Sequence, residues 1–249
     1  MRLFGEESAF GRFLNRLYVI IVSNLLFVLF SLPVVTTGAS LSALDYTLMK
    51  LQRGDKTFKV AATFWKGFRE CFAKATICFL ALAALLLMQL LEISWCRQFQ
   101  GIVSLFRYAL AGLMALEMIL ALYLFPVIAA FNGGIGELLK NALYFAFSKP
   151  FRMLICLALH AIPVFVTYTF IKYLPLWAFL WLIAGFAAIR YGSARIMLTQ
   201  FTPFLPEVDL CGDIIPPGSE GDPGILLGEK RSAGDADEET LREMMKFGL

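Results

Sequence analysis

Several stretches of this chain run for about twenty residues with almost no charge, and nothing else in the sequence constrains the fold as much. About twenty consecutive apolar residues span a bilayer as a helix. The apolar fraction is 59% against 16% charged, where a soluble domain is nearer half and a quarter. A soluble core would absorb part of that excess, but not in unbroken runs. The expected fold class is therefore all-α, a polytopic transmembrane helical bundle with interfacial amphipathic helices.

The first span reads from 17 to 32, preceded by Arg12 and Arg16 and stopped at Pro33, which breaks a helix. Residues 34–48 are weakly hydrophobic and rich in Gly, Ala, Ser and Thr, a composition suited to close helix packing. This segment reads as a short second span or a re-entrant piece. Then 57–75 changes pattern: Ala61, Phe64, Trp65, Phe68, Phe72 and Ala75 recur at helical spacing, with Lys59, Lys66 and Arg69 largely elsewhere on the wheel. That predicts an amphipathic helix lying in the headgroup region, leading into a span over 76–95. A long span follows over 103–131 and breaks at Asn132-Gly133-Gly134. A second amphipathic piece covers 135–148, closed by Lys149-Pro150, and the last spans cover 153–172 and 176–195. About six spans result, five if 34–48 does not cross. Residues 1–201 form the transmembrane domain. Residues 202–249 form an acidic, turn-rich tail that cannot bury enough apolar surface to order itself, with a possible short helix over 237–247.

Charge sets the expected orientation. Seven Lys/Arg lie between Lys50 and Lys74 and three more at Lys140, Lys149 and Arg152, while the intervening connections hold Arg97, Arg107 and Lys172. The basic segments and the C-terminus are expected in the cytoplasm. The N-terminus joins them if 34–48 crosses or re-enters. Residues 1–200 carry a net +10 and residues 201–249 a net −7. Anionic lipid headgroups are the expected partner of Lys59, Lys66, Arg69 and Lys74; no basic module stands apart to take nucleic acid. The five cysteines (71, 78, 96, 156 and 211) include no CxxC pair and read as free thiols. The first apolar run lacks a small-x-small cleavage site, so no signal peptide is expected.

No phosphate loop, Walker lysine, zinc pair or nucleophile elbow occurs, and there is one histidine. The expectation is a protein that is not an enzyme and has no cofactor, metal or catalytic residue. Ionisable groups inside spans are costly and need a partner or a purpose. Glu117 falls near the middle of its span and His160 roughly 12 Å into its own, at 1.5 Å per residue, so the two are placed to meet. A proton or cation relay is the functional reading; a protonated Glu117 hydrogen-bonded to a neighbouring helix is the simpler structural one. Asn24 reads as a helix–helix hydrogen bond. Asp45 and Arg190 lie near the same end of their spans and are expected to pair, and Glu92 has Arg107, Arg97 and Lys172 within reach. Ala184, Ala188 and Gly192 form a close-packing face, and Trp65, Trp95, Trp177 and Trp181 fit interfacial belts. Leu32-Pro33-Val34-Val35, Phe125-Pro126-Val127-Ile128 and Ile162-Pro163-Val164-Phe165 share a local pattern. Transporters contain such repeats, and apolar sequence also produces them by chance.

Three stretches together carry a family resemblance. They are Leu32-Pro33-Val34-Val35-Thr36-Thr37-Gly38-Ala39 with Ala43-Leu44; Phe64-Trp65-Lys66-Gly67-Phe68-Arg69; and Phe125-Pro126-Val127-Ile128-Ala129 with Leu139-Lys140-Asn141-Ala142-Leu143 and Lys149-Pro150. In order and spacing they resemble the YesL-like bacterial membrane proteins over roughly residues 10–204, a family without an assigned activity. The resemblance implies an accessory protein of the cell membrane, associated with carbohydrate import. The alternative reading is a small secondary transporter or channel-like protein using Glu117 and His160. The acidic tail departs from the family pattern.

Overall fold

The computed structural model describes residues 9–53, 59–96 and 102–205. The expected tail helix over 237–247 lies outside them, as do Arg97 and Cys211. The described residues are almost wholly helical and contain no strand. Eight α-helices follow in order: α1 (Ala9–Phe30), α2 (Thr37–Gln52), α3 (Val60–Cys96), α4 (Ile102–Ala130), α5 (Ile135–Ser148), α6 (Pro150–Thr169), α7 (Leu174–Leu180) and α8 (Phe186–Phe201). A π-helical turn, Trp181–Gly185, joins α7 to α8. Five of the helical stretches are long and apolar enough to cross a membrane: Phe10–Phe30, Val60–Cys96, Leu105–Ala130, Pro150–Thr169 and Ile171–Phe204. The chain is a membrane-spanning helical protein.

α2 is the centre of the bundle. Twelve of its sixteen residues are buried, although it is the least apolar of the segments read as spans. Its small residues let neighbours approach closely. A Cβ on Gly38 would collide with the Ala75 carbonyl and lie 2.5 Å from the Cβ of Phe79, and one on Gly67 would stand 2.9 Å from the Tyr46 ring. These contacts set α2 antiparallel to α3, with Gly38 opposite Ala75–Phe79 and Tyr46 opposite Gly67. Serine and threonine on α2 hand their hydroxyls to backbone carbonyls: Ser40 to Thr36 at 3.0 Å, Thr47 to Ala43 at 2.8 Å, and Ser42 across to Phe125 on α4 at 3.4 Å.

The boundary expected near residue 75 is absent. α3 is one helix of 37 residues, about 55 Å long at 1.5 Å per residue. Nothing in it allows the turn that an interfacial helix followed by a span would need. Half of the aromatic face expected to enter lipid is consumed inside the bundle. Phe64 is fully buried and Phe68 only 7% exposed, clustered with Phe27, Leu44 and Leu48, and Phe30 meets the Phe64, Trp65 and Phe68 rings at 5.1–5.8 Å. The basic half of α3 therefore lines the flank of the bundle and does not lie apart from it. α2 ends opposite Phe79, so the apolar half of α3 runs on past it. There its neighbour is α4.

The second amphipathic helix sits where the sequence placed it. Gly134 opens α5, with its N–H donating to the Glu137 carboxylate at 3.0 Å. Leu138, Ala142, Phe145 and Ala146 bury against the end of α4 and α8, where the Phe131, Phe145 and Phe201 rings gather at 4.7–5.7 Å.

Candidate functional site: a buried polar cluster

Asp45 on α2 and Arg190 on α8 stand 3.5 Å apart, both almost inaccessible. Burying one such charge alone is prohibitive, and the pair is tolerable because each neutralises the other. The contact is an ion pair without a completed hydrogen bond: Asp45 Oδ2 and Arg190 Nη1 make none. Arg190 also lies close enough to act on His160 and Cys156 of α6. His160 Nδ1 is 2.9 Å from the Cys156 carbonyl, while its Nε2 is buried without a partner. On the other side of Cys156, the Tyr123 hydroxyl of α4 sits beside the Cys156 thiol and the Gln200 amide without closing a hydrogen bond to either. Asp45, Arg190, His160, Cys156, Tyr123 and Gln200 thus lie in one polar neighbourhood drawn from α2, α4, α6 and α8. Buried polar atoms are nearly always hydrogen-bonded, so several unpaired at one place set this cluster apart from an ordinary protein interior.

Asn24 performs a different task. In an α-helix the Ala187 N–H would bond the Ile183 carbonyl. Instead it donates to Asn24 Oδ1 at 2.9 Å, and Asn24 Nδ2 donates to the carbonyls of Leu182 at 2.6 Å and Trp181 at 3.0 Å. The amide of α1 is inserted into the backbone ladder of the last span, which accounts for the π turn at Trp181–Gly185. The Trp181 indole N–H donates to the Thr167 hydroxyl at 3.1 Å and ties the turn to α6.

Glu117 and His160 do not meet: no ion pair or hydrogen bond joins them. Glu117 instead faces Gln89 across the α3–α4 pair. Both are buried, and none of their four side-chain polar atoms forms a hydrogen bond. The physical reason is register. His160 sits at the level of Arg190 in the body of the bundle, whereas Glu117 lies on the part of α4 that runs beside the far half of α3. Glu92 is exposed and pairs with neither Arg107 nor Lys172; Arg107 folds over its neighbour Tyr108, 3.0 Å to the hydroxyl and 4.9 Å to the ring centre. Of the expected small-residue face, Gly192 abuts Leu159 of α6, whereas Ala188 is exposed and Ala184 lies in the π turn. Lys59, Lys66 and Arg69 are exposed along α3 and Lys74 is half-buried.

Sequence reasoning overlooked Tyr123, Cys156, Gln200 and Gln89. A tyrosine, a cysteine and uncharged amides in apolar runs give no signal in a charge count; only register brings them together. Among the described residues, Cys71, Cys78, Cys96 and Cys156 are free and buried, and no three His, Cys, Asp or Glu side chains gather as metal ligands.

A family model described as "Protein of unknown function, DUF624" matches residues 20–93, which covers the second half of α1, all of α2 and most of α3. No curated protein and no solved structure matches the chain.

Proposed function

We propose that this protein is a non-enzymatic accessory component of a membrane system, with carbohydrate import the system that its YesL-like resemblance suggests. The observation that carries this reading is the build of α3. Its inner face is locked into α1 and α2, so the outer face presents Trp65, Lys66, Arg69 and Glu70 on a rigid support along a shallow groove of about 460 Å³. A fixed polar–aromatic ridge suits contact with a partner or with anionic headgroups better than catalysis. In this reading the chain is a multi-pass protein of the bacterial cell membrane, with both termini in the cytoplasm and α1–α2 a short hairpin. The length of α2 fits the short or re-entrant form of that hairpin: its sixteen residues measure about 24 Å against a hydrocarbon core of about 30 Å. Co-purification from native membranes under mild detergent, with chemical crosslinking, tests the reading. Reproducible recovery of this chain alone would sink it.

A second reading, a small secondary transporter, is favoured by the polar cluster around Arg190. It runs through Asp45, His160 and Tyr123, no longer through a Glu117–His160 pair. Proteoliposomes assayed for proton-coupled flux test it: flux that survives both Asp45→Asn and His160→Ala would remove its support.

A further inference from the structure

We propose that the acidic C-terminal segment, residues 235–247, docks on the exposed basic–aromatic ridge of α3. The ridge offers two kinds of contact on one face. Trp65 and Phe72 remain 47% and 41% exposed after Phe64 and Phe68 are buried, and Lys59, Lys66 and Arg69 stand exposed with Lys74 at the edge. Trp65 is held rather than loose, stacked on Phe68 at 5.7 Å and 13°.

The segment is complementary in both respects. Asp235, Asp237, Glu238, Glu239 and Glu243 supply negative charge, and Leu241, Met244 and Met245 fall on one stripe at helical spacing. Arg242 and Lys246 add two positive charges to it, and the ridge carries one acid, Glu70, on the groove wall. A segment of mixed sign can meet both the basic side chains and Glu70, whereas a purely anionic headgroup surface offers Glu70 no opposite charge. The geometry of reach agrees. α8 ends at Phe201 against Phe131 and Phe145, and Gln52, just ahead of α3, donates to the Tyr191 carbonyl of α8 at 2.6 Å. The ten residues from there to Phe201 span about 15 Å, and residues 206–234 as a simple coil cover about 30 Å root-mean-square. Docking in this way folds the segment on contact and covers the ridge, so that whatever else binds there must displace it.

The full-length protein, with Ala62 replaced by a benzophenone amino acid, is reconstituted in phosphatidylcholine nanodiscs with and without phosphatidylglycerol, irradiated and digested with trypsin. The crosslink is expected within one chain, to the peptide of residues 232–242. Glu238→Lys with Glu239→Lys and Glu243→Lys should cut the crosslink yield, summed over all tryptic fragments of residues 232–246 because the new lysines add cleavage sites, by about tenfold, three exposed ion pairs being reversed. Adding Lys66→Glu and Arg69→Glu should restore it. Crosslinks to lipid alone, a yield indifferent to the charge reversal, or crosslinks only between differently tagged copies would each overturn the proposal. No partner is present in this experiment, so its failure is separate from failure of the accessory-protein reading.

Discussion

The Asn24 insertion allows a quantitative test of how the last span is held. Replacing Asn24 by leucine keeps the γ-branched shape, at a somewhat larger volume, and removes one acceptor and two donated hydrogen bonds. Side-chain hydrogen bonds between membrane helices average about 0.6 kcal/mol and reach about 1.7, so three lie between roughly 2 and 5 kcal/mol. Part of this is recoverable. If the π turn relaxes to an α-helix, the Ala187 N–H finds the Ile183 carbonyl again, and a net loss of about 2–3 kcal/mol remains. Asn24→Asp is the sharper probe. It keeps the acceptor for the Ala187 N–H but sets a carboxylate against the Trp181 and Leu182 carbonyl oxygens, so it should destabilise at least as much as leucine. Reversible unfolding of the full chain in mixed micelles, with the denaturing detergent fraction as variable, measures both. The reasoning fails if Asn24→Leu lies within about 0.5 kcal/mol of the parent, the usual scatter of a neutral surface change, or if aspartate proves the milder of the two.

Breaking one partner of the Asp45–Arg190 pair, by Asp45→Ala or Arg190→Ala, should cost about 3–5 kcal/mol in the same unfolding assay, whereas joint Asp45→Leu and Arg190→Met should recover most of it. At Gly38 a methyl group meets α3 backbone, so Gly38→Ala should destabilise by about 1–3 kcal/mol. At Gly112 nothing lies within 4 Å, and Gly112→Ala should be neutral or stabilise by up to about 1 kcal/mol through helix propensity; equal effects at the two glycines would contradict the α2–α3 register. For orientation, single cysteines at Lys59, Gln98, Gly133 and Lys172 on a Cys-free background should react with an impermeant thiol reagent from outside intact cells only at Gln98 and Lys172.

Helix positions were readable wherever local chemistry punctuates the chain. Asn132-Gly133-Gly134 and Lys149-Pro150 bracket α5, whose bounds coincide with the sequence reading. The proximity of Asp45 and Arg190 followed from depth alone, because two opposite charges at one level have few other partners in a bundle. Three features stayed hidden, for related reasons. The insertion of Asn24 depends on its contact with a particular turn of a helix more than 150 residues away. The meeting of Glu117 with Gln89 instead of His160 depends on the stagger between helices, which depth along each span does not set. The continuity of α3 was obscured because its composition switches from basic–aromatic to apolar near residue 75 without any helix breaker, so a change of surroundings looked like a change of element.

That switch has a structural consequence for how the bundle is divided. The half of α3 below Phe79 is flanked by α1, α2 and α4 and contributes Val60, Phe64, Phe68, Cys71 and Ala75 to the interior. Beyond it, Leu85, Leu87, Met88, Leu90 and Leu91 are exposed, as are Leu105, Phe106, Leu113 and Leu116 on α4. In water such a surface would be untenable; against lipid tails it costs nothing, since lipid is as apolar as leucine. Small and polar residues therefore concentrate in α2, where helices must be held to one another, and large apolar ones concentrate where the neighbour is lipid. Hydropathy alone ranks α2 low although twelve of its sixteen residues are buried, which is why the segment that looked most ambiguous in sequence turns out to be the one around which the others assemble.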